Sequence, residues 1–221
     1  MHKKFDLIVW DWDGTLADST SMITNALVKA AEQVGLPSLA PTKAKGIIGL
    51  GLKESIYELY GNLPPEQARA LATQYSANYY AEESNIPLFT HAHETIVTLH
   101  RRGYKLAVAT GKGRRGLNLA LEHCGLTRYF HGTRTVDECF SKPHPQMLDE
   151  LMDDMVVTPE RTLMIGDTTY DMQMAQNAGV SSVAVTFGAQ AEHQLAVYQP
   201  KQIFDQFSDL KNWLLDETSR N

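Results

Sequence analysis

The sequence predicts an α/β protein in which helices cover a parallel sheet and a helical segment follows the first strand. Short apolar runs rich in strand-forming residues recur along the chain, and they alternate with segments whose apolar residues have helical spacing. Strands that alternate with helices form parallel sheets with helices on both faces. Only the first strand is separated from the next by a long stretch of helical pattern alone. This arrangement predicts two lobes with a cleft between them.

The first strand is predicted over residues 5–10, a short apolar run that is typical of a buried strand. A helix is expected to begin after Ser19, whose residue type favours helix N-termini, and to end before Gly35. Further helices are expected over residues 52–60 and from Pro65 onward. No strand pattern interrupts these helices.

Four further strands are predicted beyond this helical stretch, at residues 105–110, 130–135, 162–166 and 182–186. The helices of this part are expected around residues 94–100, 117–124 and 171–178, with another from about residue 145. The first strand therefore joins a sheet built from the second part of the chain. We call residues 16–86 the cap, and residues 1–15 together with 87–221 the core.

Composition and charge exclude several classes of protein. The 221 residues are 43% hydrophobic and 21% charged, which is ordinary for a globular protein. The 20 basic and 26 acidic residues give a net charge of −6, which argues against a nucleic-acid or anionic-membrane binder. No apolar run approaches the ~20 residues of a membrane span, and the first residues show no cleavable apolar stretch. With only two cysteines, we expect a cytoplasmic protein without a disulfide framework.

Acidic and phosphate-binding residue types are concentrated where three predicted strands end. Asp11 and Asp13 follow the first strand, Thr110 and Gly111 end the second, and Asp167 ends a later one. Open parallel sheets bind their ligands beyond the carboxyl ends of the strands. We therefore expect these residues to meet in one site.

These residue types in one site indicate phosphoryl transfer. The aspartates, Asp167 included, repel each other unless a cation lies between them, and ligands that are all oxygen suit Mg²⁺. Asp11 is then able to attack phosphorus and form an aspartyl-phosphate. Asp13 is placed to protonate the leaving alkoxide and then to deprotonate the hydrolytic water. The Thr110 hydroxyl and nearby backbone N–H groups would hold the phosphoryl oxygens, while Lys142 offsets their negative charge.

Four segments resemble, in order and context, the four motifs of haloacid dehalogenase superfamily hydrolases. The segments are Asp11-Trp12-Asp13-Gly14-Thr15, Thr110-Gly111-Lys112, Lys142-Pro143 and Gly166-Asp167-Thr168-Thr169-Tyr170-Asp171. The insertion directly after the first segment is similar to the helical cap of the subfamily that contains phosphoglycolate phosphatases, β-phosphoglucomutases and phosphonatases. The resemblance implies a Rossmann-like parallel core with strand order 5-4-1-2-3 and an inserted α-helical cap domain.

The resemblance also implies the cofactor and the site residues. Mg²⁺ would be bound by Asp11, by the main-chain carbonyl of Asp13 and by Asp167. Asp171 and Lys142 would support the metal site from behind these ligands. The phosphate would be bound by Thr110, Gly111 and Lys142. The partner implied is a small phosphorylated metabolite, and the chain is expected to be a monomer or a homodimer.

Several reactions remain open on such a scaffold. Phosphonatases resemble this chain at the start of the first motif, but they carry a small residue where Asp13 stands and use a cap lysine to form a Schiff base. Asp13 is what a phosphate-ester leaving group requires, so a phosphonatase is disfavoured. A β-phosphoglucomutase-like mutase, a pyrophosphatase and a non-catalytic phosphometabolite sensor stay open as well. Simple hydrolysis is the commoner outcome, so the sequence predicts a Mg²⁺-dependent phosphatase for a small, phosphoglycolate-like monoester.

The cap segment of residues 45–53 resembles the substrate-specificity loop of helical-cap members. Gly49 and Gly51 would allow close backbone approach to a small ligand, and Lys53 would recognise a short acidic leaving group such as glycolate. Alternatively, the glycines only join two helices and Lys53 is solvated, which is the interpretation favoured for Lys53. A second basic cluster either rims the mouth of the site or lies on a solvated helix face: Lys112, Arg114 and Arg115.

Overall fold

A six-stranded, all-parallel sheet forms the centre of the molecule. The computed structural model describes residues 4–82 and 86–217. The strands are β1 (Leu7–Trp10), β2 (Lys105–Thr110), β3 (Gly132–Thr135), β4 (Thr162–Gly166), β5 (Ser181–Val185) and β6 (Ile203–Phe204). Their order across the sheet is β3-β2-β1-β4-β5-β6. The predicted order 5-4-1-2-3 is confirmed, and β6 extends it at one edge.

Helices lie on both faces of the sheet and fill the cap. The described residues form α1 (Thr20–Gln33), α2 (Pro41–Gly46), α3 (Leu52–Tyr60), α4 (Pro65–Tyr80), α5 (Ala92–Arg101), α6 (Arg114–His123), α7 (Gln146–Met155), α8 (Thr169–Asn177), α9 (Glu192–Leu195) and α10 (Phe207–Glu217). Four elements were not predicted: α2, α9, α10 and β6. Three of them, with six, four and two residues, are too short to show a periodic pattern, and α10 lies beyond the last predicted strand.

Strand β1 is central because both of its faces are apolar. Leu7 and Val9 pack into the cluster on one face of the sheet, together with the buried methionines of α7 and α8. Ile8 and Trp10 alternate with them and pack into the cluster on the other face. All four side chains are buried, as expected for a strand with neighbours on each side and helices above and below. The end of β1 is thereby held rigidly in the middle of the sheet.

The cap contains an apolar cluster of its own, to which α1, α3 and α4 contribute Leu27, Ile56 and Leu71. Ser19 precedes α1 as predicted, but its hydroxyl donates to the carbonyl of Ala17 and accepts no hydrogen bond from the backbone N–H groups of the helix. Residues 1–3 and 218–221 of the core and 83–85 of the cap lie outside the described residues. Within the described ranges, no helix combines the length and the apolar character that crossing a membrane requires.

Candidate active site

The carboxyl ends of β1, β2 and β4 bring three polar side chains together at one edge of the sheet. Asp11 directly follows β1, and its N–H donates to the carbonyl of Ile165 on β4 over 2.9 Å. Thr110 is the last residue of β2, and Asp167 directly follows β4. The exposed fractions of Asp11, Thr110 and Asp167 are 1%, 1% and 0%. Carboxylates this deeply buried need specific partners.

Lys142 is the cationic partner of two of the aspartates. Its Nζ donates to Asp11 Oδ1 and to Asp171 Oδ1, each over 2.6 Å. The side chain is buried, and burial by itself lowers the pKa of a lysine. The charges of Asp11 and Asp171 outweigh this effect and raise the pKa of Lys142 above its ordinary value. Lys142 therefore remains charged and fixes one oxygen of Asp11.

Asp167 is held by hydrogen bonds to both of its carboxylate oxygens. Oδ1 accepts from Thr15 Oγ1 over 2.9 Å, and Oδ2 accepts from the N–H of Ala189 over 2.7 Å. Burial and the neighbouring Asp171 raise the pKa of Asp167 to about 7, although these two hydrogen bonds act in the opposite direction. A cation beside Asp167 would restore its ionised form.

The backbone approaches Asp167 closely from two glycines. Gly14 has a φ of +84°, and a Cβ on it would lie 2.2 Å from Asp167 Oδ2. A Cβ on Gly188, in the loop after β5, would also lie 2.2 Å from that oxygen and 2.3 Å from the carbonyl oxygen of Gly14. A larger residue at either position would displace the carboxylate.

The aspartates fit a hard divalent cation. Oxygens of Asp11, Asp167 and Asp171 all lie within 4.8 Å of one another. Asp11 Oδ2 and Asp13 Oδ1 are buried and accept no hydrogen bond. A buried carboxylate oxygen without a partner is costly, and a Mg²⁺ ion with oxygen ligands would satisfy Asp11 Oδ2, whereas Asp13 Oδ1 faces Lys112 Nζ at 3.6 Å. Both oxygens of Asp171 already accept hydrogen bonds, from Lys142 and Thr168, which suits a supporting position.

A cavity of about 300 Å³ lies between the core and the cap. Asp11, Asp13 and Thr110 line its core side, and residues of α1, α3 and α4 line the opposite side. Thr110 Oγ1 accepts from the N–H of Lys112 over 3.1 Å, which leaves the hydroxyl proton of Thr110 available to a ligand. The cavity therefore gives a small molecule access to Asp11 and Asp13 at once.

The loop between α2 and α3 lies directly on the core. A Cβ on Gly111 would lie 2.5 Å from the carbonyl oxygen of Gly49 and 2.6 Å from that of Leu50. The N–H of Gly51 donates to Ser141 Oγ over 2.9 Å. The glycines predicted to allow close approach to a ligand thus also allow close approach between the cap and the core.

Lys112 connects Asp13 to the cap. Its Nζ contacts Tyr79 Oη, lies 4.2 Å from the centroid of the Tyr79 ring, and lies 3.6 Å from Asp13 Oδ1. Tyr79 belongs to α4 and is buried. The cation therefore faces an aromatic ring of the cap on one side and the predicted acid/base on the other.

The other basic candidates, Lys53, Arg114 and Arg115, differ in their surroundings. Lys53 is exposed on α3 and does not line the cavity. Arg114 pairs with Glu138, with an N–O distance of 2.5 Å. Arg115 is exposed at the edge of the cavity, with its guanidinium carbon 5.1 Å from the centroid of the Tyr80 ring.

The structure adds residues that sequence reasoning missed. Thr15 and Thr168 stand inside the motif segments, so their positions were known but their hydrogen bonds to Asp167 and Asp171 were not. Gly188 and Ala189 follow β5, whose carboxyl end lies at the same edge of the sheet, and this placement was a usable signal. The contact of Tyr79 with Lys112 had no sequence signal, because the pattern of α4 says nothing about its neighbours.

Comparisons with known proteins agree with this geometry. The sequence model described as haloacid dehalogenase-like hydrolase matches residues 8–185. The chain is 34% identical to the Dickeya dadantii protein named Probable phosphatase IndB, over 92% of this chain and 91% of that protein. It is 26% identical to pyrophosphatase PpaX of Bacillus mycoides, over 94% of this chain and 95% of that protein.

A solved structure shares the fold over nearly the whole chain. It is described as a predicted phosphoglycolate phosphatase from Haemophilus somnus, with a TM-score of 0.82 and 25% identity, and it covers 96% of this chain and 99% of its own. The strand order, the buried aspartates and the match over residues 8–185 lead to one conclusion. The chain belongs to the haloacid dehalogenase-like hydrolase family.

Proposed function

We propose that the protein is a Mg²⁺-dependent phosphatase that hydrolyses a small phosphate monoester through an aspartyl-phosphate on Asp11. The observation that carries the proposal is the unequal environment of the two Asp11 oxygens. Lys142 Nζ fixes Oδ1 at 2.6 Å, whereas Oδ2 is buried without a hydrogen bond in a residue that lines the cavity. One oxygen is thus oriented, and the other is available to the metal and to phosphorus.

The residues of the site supply each part of the reaction. Asp11 attacks phosphorus, and the bond from phosphorus to the ester oxygen breaks as the new bond forms. Asp13 gives its proton to the departing alkoxide and then takes one from the water that hydrolyses the aspartyl-phosphate. The Thr110 hydroxyl and the N–H of Gly111 hold the phosphoryl oxygens, and Lys142 balances their charge. When bound, Mg²⁺ would be held by Asp11, by the main-chain carbonyl of Asp13 and by Asp167, and it would neutralise negative charge on the phosphoryl group.

The proposal is tested by steady-state hydrolysis of a generic aryl phosphate with Mg²⁺ and with EDTA. Asp11→Asn is expected to lower kcat by at least ~10⁴-fold, as loss of a nucleophile does in other enzymes, while the protein remains folded. Asp18→Asn removes an exposed carboxylate at the start of the cap and is the matched control, with activity within about twofold. A hydroxylamine-labile phosphoryl group should form on the wild type and not on Asp11→Asn.

Retained turnover in Asp11→Asn, or full activity in EDTA, would contradict the proposal.

A pyrophosphatase is the second candidate, because PpaX shares 26% identity over nearly the whole chain. Product analysis with pyrophosphate, phosphoglycolate and a hexose phosphate separates hydrolysis of a monoester from pyrophosphate cleavage and from phosphoryl migration. Binding of these compounds without any turnover would favour a sensor.

A further inference from the structure

The two sides of the cavity differ in charge. Its charged lining residues all belong to the core: Asp11, Asp13, Lys112, Arg115 and Asp137. The cap side, as far as the described residues show, consists of aliphatic side chains of α1, of the loop between α2 and α3 and of Leu52 on α3, tyrosine rings of α4, one glycine and two serines. A leaving group that extends from Asp13 toward the cap therefore meets an apolar wall.

The cations of the cavity are already engaged by protein groups. Lys112 Nζ contacts Tyr79 Oη and lies 3.6 Å from Asp13 Oδ1. Arg115 is exposed at the rim, beside the ring of Tyr80. Lys53, the cap lysine considered for a carboxylate, lies outside the cavity lining. Both cations lie against Tyr79 and Tyr80, so a carboxylate or phosphate on a leaving group that packs against the aliphatic residues of the cap would lose water without gaining a cation from the cap.

We propose that the preferred substrate is a phosphate monoester whose leaving alcohol carries an apolar body, aliphatic or aromatic. This body packs against Leu27, Ile47 and Leu50 and against the ring of Tyr75, while its ester oxygen faces Asp13. The inference rests on the proposed phosphatase activity and names its substrate class. It places phosphoglycolate and pyrophosphate among the poor substrates, because each presents a charged group to a wall whose own residues carry no charge.

A pair of nearly isosteric esters tests the charge of the leaving group. Isobutyl phosphate and phosphoglycolate differ mainly in replacing two methyl groups by two carboxylate oxygens. We expect kcat/KM for isobutyl phosphate to exceed that for phosphoglycolate by at least about tenfold. Along ethyl, propyl and butyl phosphate, kcat/KM should rise by about fourfold for each methylene that enters the cavity. The kcat/KM for benzyl phosphate should also exceed that for ethyl phosphate.

The outcomes distinguish this inference from the proposed function. If phosphoglycolate is the better substrate, or if kcat/KM does not change along the alkyl series, the apolar leaving group is overturned and the phosphatase remains. If pyrophosphate is the better substrate, both the apolar leaving group and the monoester phosphatase are overturned. Absence of turnover for every ester, the aryl phosphate included, would overturn both.

Variants of the cap wall test the same point with a matched control. Tyr75→Ser removes a cavity-lining ring, whereas Tyr57→Ser removes a 60% exposed ring of α3 that does not line the cavity. Tyr75→Ser should lower the kcat/KM ratio of benzyl to ethyl phosphate by about tenfold, and Tyr57→Ser should leave the ratio unchanged. An unchanged ratio in folded Tyr75→Ser protein would overturn the proposed contact.

Ser76→Lys tests the same wall by adding a cation that should increase relative activity on phosphoglycolate, without removing an apolar side chain. Ser76 lines the cavity, is half-buried, and donates only to the carbonyl of Ala72 within α4. A lysine there adds a cation to the cap wall, so the kcat/KM ratio of phosphoglycolate to isobutyl phosphate should rise by about tenfold. A ratio that does not change would show that the leaving group does not face this wall.

Discussion

The core side and the cap side of the cavity differ in the charge of their lining residues and in how tightly those residues are held. On the core side, buried charged groups are held by specific polar partners, as Lys142 is by Asp11 and Asp171 at 2.6 Å each. On the cap side, the described lining residues bear no charge, and the loop contacts the core through backbone carbonyls at Gly111. Buried charges tolerate few substitutions, whereas an apolar wall accepts many side chains of suitable volume.

The residues proposed for phosphoryl transfer and those proposed for the choice of substrate therefore lie in different segments of the chain. In the proposed reaction, the core side faces the phosphoryl group, which every candidate substrate shares, and its residues come from four separate segments. In the same proposal, the cap side faces the leaving group, which varies, and its residues come from one continuous insertion. A change in the cap can therefore alter the substrate without disturbing the charged network.

The largest expected effect compares two lysines, one from each region. Lys142→Met leaves the carboxylates of Asp11 and Asp171 buried without their cation, so the free energy of unfolding should fall by about 3–5 kcal/mol. Lys53→Met removes an exposed lysine of the cap and should change it by less than about 0.5 kcal/mol. Urea unfolding in EDTA, followed by circular dichroism, measures both. Equal effects would contradict the claim that charge is more constrained in the core.

The next effect concerns the contact between the two regions. Gly111→Ala places a Cβ against the backbone oxygens of Gly49 and Leu50, so the loop has to move away from the core. Misplacement of a site by about 1 Å costs on the order of 100-fold in rate, and we expect kcat/KM to fall to that extent. Gly46→Ala is the control in the same cap segment, because a Cβ there meets nothing within 4 Å. A Gly111→Ala enzyme with normal kcat/KM would show that the loop contact does not matter for turnover.

The core and its site were largely predictable, for a physical reason. Central parallel strands are continuous apolar runs, and the residues after them fall at one edge of the sheet whatever the details of packing. Asp11, Thr110 and Asp167 could therefore be placed together from sequence, and the structure brings them together. Their catalytic and metal-binding roles stay predictions until the Asp11 variant is measured.

The cap was less predictable because its contacts are long-range. The helices over residues 52–60 and from Pro65 followed from periodicity and are confirmed as α3 and α4. Nothing in that periodicity shows that Tyr79 meets Lys112 of the core, whereas the exposed Lys53 agrees with the solvated position that the sequence favoured. Strand β6 was not predicted for a different reason, because a strand of two residues is too short to show a periodic pattern of apolar residues.

The smallest effect tests whether the cap and the core act together through Lys112. Lys112→Met removes the cation that faces the ring of Tyr79 and lies 3.6 Å from Asp13 Oδ1. A cation–π contact of this kind contributes roughly 0.5–2 kcal/mol, so kcat/KM should fall by about three- to thirtyfold. Tyr79→Phe keeps the ring and loses only the contact of its hydroxyl, and its kcat/KM should fall less.

The leaving group makes this test specific to Asp13. An aryl oxide departs without protonation, whereas an alkoxide needs the proton that Asp13 supplies. If Lys112 positions Asp13, Lys112→Met should lower kcat/KM more for an alkyl phosphate than for an aryl phosphate, with Tyr79→Phe showing the same order at smaller size. Equal losses of kcat/KM on both substrates would mean that Lys112 attaches the cap to the core without positioning Asp13.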